Sequence, residues 1–117
     1  MLFKKVFLVI CFLFIYINCV YGDTLVLFYS TNCPACKKLD KILDEKNIKN
    51  ELAKIPILRY NIDKKSDMTL MEKIRQKSKL KIKFLVPQYY ILDDKSEIIK
   101  GDVGYKSEKE FLEWLSK

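Results

Sequence analysis

The tetrapeptide Cys33-Pro34-Ala35-Cys36 constrains this chain more than any other feature, because it lies where an apolar strand should end and a helix should begin. Residues 24–29 before it form a short apolar run rich in β-prone side chains. Three apolar residues between positions 39 and 43 follow it at helical spacing. Pro34 suits the first helical position, where its missing N–H costs nothing and its fixed φ is already helical. The pattern therefore predicts two cysteines at a helix N-terminus.

That position favours one kind of chemistry. The unpaired N–H groups of a first helical turn, and the positive end of the helix dipole, stabilise a thiolate on Cys33. A stabilised thiolate both attacks a disulfide and leaves from one readily. The leading interpretation is therefore a redox-active dithiol. The chain contains no His, which excludes a Cys-His nucleophile pair.

The 117 residues suffice for one domain, and residues 1–22 are predicted to be a signal peptide outside it. Lys4 and Lys5 form a basic start, residues 6–17 are uninterruptedly apolar, and small residues at positions 20 and 22 suit a signal peptidase. We expect cleavage before Asp23. The domain would then be residues 23–117.

Cleavage would leave Cys33 and Cys36 as the two remaining cysteines of the four in the chain. A bridge that closes so short a loop constrains the unfolded chain very little, so structural stapling explains the pair poorly. An exported, periplasmic dithiol needs partners that hold its redox state, so we expect a membrane or periplasmic electron donor. Two alternatives for the N-terminus are attachment to the membrane through a lipidated Cys19 or through an uncleaved signal anchor.

The charge pattern excludes several function classes. The net charge is +7, but the basic residues are spread along the predicted helices as solvated faces, so we expect no nucleic acid partner. A closed zinc site needs about four ligands, which two cysteines without His do not provide. We therefore expect no metal site. We also expect no cofactor and a monomer.

The predicted order of elements is β-α-β-α-β-β-α, by the alternation of apolar runs and helical patterns. The aromatic residues of these elements are interpreted as core. The last helix should begin near Glu108, because Ser107 and Glu110 have the spacing of a capping box. The other predicted elements are strands at 24–29, 57–62, 88–92 and 97–100, and helices at 34 to about 47 and about 68 to 79.

The expected mature region, residues 23–117, resembles the thioredoxin family. Cys33-Pro34-Ala35-Cys36-Lys37 resembles the active-site motif, residues 59–63 resemble the Lys-hydrophobic-Asn-Ile-Asp strand, Val86-Pro87 resembles the cis-proline position, and Gly104 matches a late glycine. The resemblance implies an α/β thioredoxin-like fold with a central mixed sheet flanked by helices. The exported context is similar to that of periplasmic reductants.

The resemblance also implies residue roles. Cys33 would attack a disulfide-containing protein substrate, and Cys36 would resolve the mixed disulfide. Val86 and Pro87 would bind the substrate, with a cis bond that presents the Val86 backbone to an extended strand. Ala35 carries no imidazole of the kind found in strong exported oxidants, which favours a protein-disulfide reductase.

Three departures from the family carry information. Asn32 stands where thioredoxins usually have Trp, so the surface beside the dithiol should be more polar. Leu27 stands where they have a buried Asp that assists deprotonation of the second cysteine. The segment from Leu80 to Val86 is one residue longer than usual.

Two other functions remain open from the residues. A Cu(I)-binding chaperone could use the same Cys-x-x-Cys, although such chaperones follow the order β-α-β-β-α-β. A redox-inactive binding module could carry the pair as a plain disulfide.

Overall fold

The computed structural model describes residues 22–117, so the predicted signal peptide, apart from Gly22, and the alternative at Cys19 lie outside the described residues. Eight elements follow in order: β1 (Thr24–Tyr29), α1 (Pro34–Leu43), α2 (Lys46–Glu51), β2 (Ile57–Asn61), α3 (Lys65–Lys77), β3 (Gln88–Leu92), β4 (Ile98–Val103) and α4 (Glu108–Ser116).

The four strands form one mixed sheet in the order β2-β1-β3-β4. Strand β1 pairs parallel to β2 and antiparallel to β3, and β3 pairs antiparallel to β4. Strand β1 lies inside the sheet, between β2 and β3, and is covered on both faces, which explains its continuous apolar sequence. The mixed sheet flanked by helices is confirmed.

Alternate residues of the strands serve two separate cores, as the two-residue period of a strand requires. Leu25, Leu27 and Tyr89 face a core built with α1, α2 and α4. Val26 and Phe28 face a core on the other side of the sheet, where α3 contributes a buried methionine. The aromatic rings of Phe28, Tyr89, Tyr90 and Phe111 are fully buried, which confirms their interpretation as core.

The predicted helix from 34 to about 47 is two helices, and this prediction was wrong. Helix α1 ends at Leu43, and the extended backbone of Glu45, with φ −65° and ψ 140°, separates it from α2. The break lets the chain turn so that Ile48 and Leu52 join the same core as Leu43. Burial of these side chains outweighs the gain from continuing one helix.

The other boundaries moved by a few residues. Helix α3 begins at Lys65, ahead of the predicted start near 68, and β4 extends to Val103. Helix α4 begins at Glu108 behind the predicted capping box, with both of its hydrogen bonds present. Within residues 22–117, none of the helices combines the length and the hydropathy that a membrane span requires.

Candidate active site

The end of β1 and the start of α1 position the two cysteines. Cys33 is the N-cap of α1, with an extended backbone, and Pro34 is the first helical residue. The Cys36 backbone N–H donates to the Cys33 Sγ at 3.1 Å. The two side chains form a disulfide, with Cα atoms 5.2 Å apart. Local sequence explains where α1 begins, because the Cys33 cap and Pro34 both mark the start of the helix.

The exposed fraction hardly separates the two cysteines, since Cys33 is 8% and Cys36 is 6% exposed. Their surroundings do separate them. The Cys33 Sγ lies 3.7 Å from the Val86 carbonyl oxygen, whereas Cys36 lines a cleft together with Leu27 of β1. Because a disulfide sulfur carries no proton, the Cys33 Sγ and the Val86 oxygen are in contact without a hydrogen bond. In the reduced protein, the Cys33 thiol could donate to that oxygen.

The Val86-Pro87 peptide bond is cis, as the sequence resemblance implied. Pro87 is fully buried, and its carbonyl accepts a hydrogen bond of 2.8 Å from the Gly104 N–H. Gly104 has a φ of +93°, a conformation that favours glycine, and its own carbonyl accepts from the Tyr89 hydroxyl at 3.0 Å. The structure therefore brings Val86, Pro87 and Gly104 together, with Val86 in contact with Cys33. The substrate-binding role of Val86 and Pro87 stays a prediction.

A cleft of about 440 Å³ opens beside Cys36. Leu27 forms part of its wall and is buried, so this wall is apolar at the strand position where thioredoxins carry an acid. A carboxylate reaches the cleft from another element, α1, where Asp40 lies one helical turn after Cys36. Arg59 of β2 pairs with Asp40 at 3.1 Å, with both side chains about half exposed.

Asp40 is the site residue that sequence reasoning missed. Positions four apart on a helix are neighbours on its surface, so the Cys36 and Asp40 spacing was the available signal. The pairing with Arg59 carried no such signal, because it joins a helix to a strand. The family resemblance gave no carboxylate beside Cys36, because Leu27 occupies the β1 position where thioredoxins have an acid.

A polar network holds the turn that precedes Cys33. The Thr31 N–H donates to the Asp63 carboxylate at 3.1 Å, and the Asn61 side chain donates to the Thr31 hydroxyl at 3.1 Å. Hydrogen bonds from the Thr31 side chain and then from its backbone N–H lower the pKa of Asp63 below its ordinary value. The adjacent Asn32 is exposed, so the surface here is polar, as predicted.

The remaining residues of the motif contribute geometry and no ionisable group. Ala35 is partly exposed between the two cysteines, and Pro34 is exposed at the helix start. Lys37 follows them on the surface and lines the cleft of Cys36.

Comparison with known proteins identifies a family that this chain matches over all of the described residues. A sequence model of the family described as "thioredoxin-like domain" matches residues 21–117. No curated protein sequence matches the chain.

Among solved structures, a thioredoxin from Thermus thermophilus is similar with a TM-score of 0.66 at 20% identity, covering 81% of this chain and 72% of that one. A disulphide isomerase from Xylella fastidiosa Temecula1 has a TM-score of 0.63 at 17% identity, covering 82% and 77%. The reduced C-terminal domain of DsbD from Neisseria meningitidis has a TM-score of 0.63 at 15% identity, covering 85% and 83%. At such identities the likeness concerns the fold.

Proposed function

The chain belongs to the thioredoxin-like family, and from that premise we propose that it is an exported protein-disulfide reductase. The fold and the Cys33–Cys36 pair together support thiol-disulfide oxidoreductase activity in general. The observation that carries the finer proposal is the position of the Cys33 Sγ, which is the N-cap acceptor of α1 and lies against the Val86 carbonyl.

In the first step, the Cys33 thiolate attacks one sulfur of a substrate disulfide. A bond forms between that sulfur and the Cys33 Sγ, the substrate S–S bond breaks, and the departing thiolate takes up a proton. Val86 lies beside this sulfur and offers its carbonyl to an extended substrate segment.

In the second step, the Cys36 thiol loses its proton and attacks the Cys33 Sγ. The Cys33–Cys36 disulfide forms, and the second substrate thiolate leaves, so two electrons have passed to the substrate. Asp40 accepts the Cys36 proton, since it lines the same cleft one helical turn away. Arg59 pairs with Asp40 at 3.1 Å and lines the same cleft, so it would restrict the motion of that carboxylate.

A further dithiol must then reduce the Cys33–Cys36 disulfide. We assign this step to a membrane or periplasmic donor, because an oxidising compartment does not maintain free dithiols. Ala35 supplies no imidazole to stabilise the reduced form, so the reduction potential should lie nearer the roughly −270 mV of thioredoxin than the about −120 mV of the strong oxidant DsbA. Equilibration with a dithiol redox buffer measures it, and a value above about −150 mV would make the protein an oxidant.

The rival functions have less support. A copper chaperone of the type considered above has the order β-α-β-β-α-β, whereas here α3 lies between β2 and β3 and the described chain ends in α4. A redox-inactive module would not need the Cys33 sulfur to cap a helix or a carboxylate beside Cys36.

Trapping tests the reductase. Reduced Cys36→Ser protein, offered a disulfide-containing model substrate such as insulin, should accumulate a covalent mixed disulfide that dithiothreitol releases. Cys33→Ser protein is the matched control and should trap nothing. Trapping by the Cys33→Ser protein alone would reverse the two roles, and trapping by neither would favour the inactive module.

Export has its own test, the intact mass of the protein from its native envelope. A chain that begins at Asp23 supports cleavage and a periplasmic domain. A diacylated chain that begins at Cys19 identifies a lipoprotein, and an uncleaved chain identifies a signal anchor; either would replace the cleaved form.

A further inference from the structure

The segment between α3 and β3 has an unusual surface. Residues 79–85, here called the basic-apolar loop, read Lys-Leu-Lys-Ile-Lys-Phe-Leu. Its lysines are exposed, and so are three of its large apolar side chains: Leu80 at 44%, Phe84 at 49% and Leu85 at 58%. No acidic residue occurs anywhere from 73 to 92. Single exposed apolar residues are ordinary, but three within six positions of one loop are unusual and point to a partner.

The loop is built so that these side chains stay outside. Ile82 points inward and is buried in the second core. The buried side chain of Gln88 donates to the carbonyls of Lys83 at 3.2 Å and Leu85 at 3.3 Å. The loop is therefore anchored from within at its centre and its end. Such a preformed surface loses little conformational freedom when it binds.

The charge of the loop comes from its lysines. Arg75 lies over the Phe84 ring, with its guanidinium carbon 5.5 Å from the ring centroid, but Glu72 pairs with that guanidinium at 3.0 Å. None of the three lysines of the loop takes part in an ion pair among residues 22–117. An anionic surface would complement them.

We propose that the basic-apolar loop inserts into the headgroup region of an anionic lipid membrane. Leu80, Phe84 and Leu85 would pass below the headgroups, while the long lysine stems let their ammonium groups remain among the lipid phosphates. An acidic protein is the other possible partner. Lys79, Lys81 and Lys83 alternate along the loop with its apolar residues, so positive charge and exposed apolar surface lie side by side, as the boundary between anionic headgroups and acyl chains requires.

Insertion would orient the active site. Val86 directly follows the loop, and its carbonyl oxygen lies 3.7 Å from the Cys33 Sγ. A domain held by this loop therefore has its dithiol beside the bilayer, within reach of thiols or disulfides at the membrane surface. Lipid binding itself requires no redox chemistry, so a failure of this inference would not contradict the proposed reductase activity, and the reverse also holds.

The test uses an indole as a local probe in the full chain. Trp114→Phe removes the single native tryptophan, and Phe84→Trp places an indole on the loop. The vesicles contain equal amounts of phosphatidylglycerol and phosphatidylcholine with brominated acyl chains, and bromine quenches an indole only on close approach. Ile99→Trp in the same background is the matched control, because Ile99 is likewise 49% exposed but lies on β4.

We expect the indole at position 84 to be quenched and the indole at position 99 not. The readout is local, so it reports on the loop whatever residues 1–22 do. Replacing Lys79, Lys81 and Lys83 by Gln should lower the ratio of inserted to free loop roughly 100-fold. The same charge change at Lys54, Lys95 and Lys109, which are exposed elsewhere, should have a much smaller effect.

Three results would overturn the proposal: equal quenching at both positions, no quenching at position 84, or quenching that is unchanged on pure phosphatidylcholine. Binding of a polyglutamate peptide to the loop without bromine quenching would identify an acidic protein partner instead. A Cys33→Ser, Cys36→Ser chain should be quenched at position 84 like the parent, which separates lipid binding from the reductase activity.

Discussion

Selective ionisation of Cys33 is the property on which the proposed chemistry most depends. In the reduced protein, we expect Cys33 to be alkylated faster than Cys36. The comparison uses two single variants, Cys36→Ser, which leaves Cys33 as the thiol of the motif, and Cys33→Ser, which leaves Cys36. Both substitutions are nearly isosteric and leave Pro34 and the helix start in place.

The magnitude follows from the position of the sulfur. The Cys33 Sγ is the N-cap acceptor and receives the Cys36 N–H at 3.1 Å. A negative charge at a helix N-terminus gains about 0.3–1 kcal/mol when exposed and up to about 2 kcal/mol when partly buried. Cys33 is 8% exposed, so the upper figure is the limit of this gain and corresponds to at most roughly a 30-fold larger ionisation constant. Burial and the Val86 carbonyl beside the sulfur both favour the neutral thiol and reduce the gain.

Intrinsic nucleophilicity falls as a thiol becomes more acidic, with a Brønsted coefficient of about 0.4–0.5. The net gain in alkylation rate below the pKa is therefore at most roughly 6-fold. Cys36 lies inside the first turn beside Leu27 and has no such acceptor position, and an apolar surrounding slows a thiol further. We therefore expect Cys33 to react faster than Cys36, by up to about 10-fold when the two effects combine.

The assay is the rate of iodoacetamide incorporation against pH for each variant, followed by mass spectrometry. Denatured samples of both variants are the control and should react alike. Equal rates in the folded proteins would remove the helix-end argument. Faster reaction of the Cys33→Ser variant would make Cys36 the nucleophile.

Three further predictions concern other residues. Asp40→Asn should slow the resolving step and let the mixed disulfide accumulate, while the rate of first attack stays unchanged in stopped-flow kinetics; an unchanged resolving rate would exclude Asp40 as the proton acceptor. The pKa of Asp63 is lowered from 3.8 in the folded state, so Asp63 stabilises the fold above that pH, and this stabilisation is lost as the pH falls through the lower folded value. The difference in unfolding free energy between wild type and Asp63→Asn should therefore shrink with falling pH in denaturation experiments. A difference that stays constant with pH would contradict this. Ser107→Ala should cost about 1 kcal/mol in urea unfolding, because the Glu110 N–H loses its cap.

Much of the active-site end of the fold could be predicted because its signals are local. The apolar run of β1, the proline after Cys33 and the capping box at Ser107 each act within a few residues along the chain. Backbone preference and hydrogen bonding over that range depend little on the rest of the molecule. These features accordingly appear in the structure where the sequence predicts them.

The break after Leu43 could not be predicted in this way. The apolar spacing continues through Ile48, so the pattern alone indicates one helix. The choice between a continuous helix and two helices depends on which course buries Ile48 and Leu52 against the sheet. That is a property of the packed core.

The sequence by itself determined the chemistry that is available, namely two thiols separated by one helical turn at a helix N-terminus, with neither His nor an acid on β1 beside them. The family resemblance implied Val86 and Pro87 at the site, but only the tertiary structure decided how close the Val86 carbonyl lies to Cys33 and which groups surround Cys36. Val86 lies 53 positions from Cys33 in the chain, and Arg59 reaches Asp40 from a different element. Contacts of this kind are created when strands and helices pack, because burial of the two cores selects one arrangement out of many that local preferences allow.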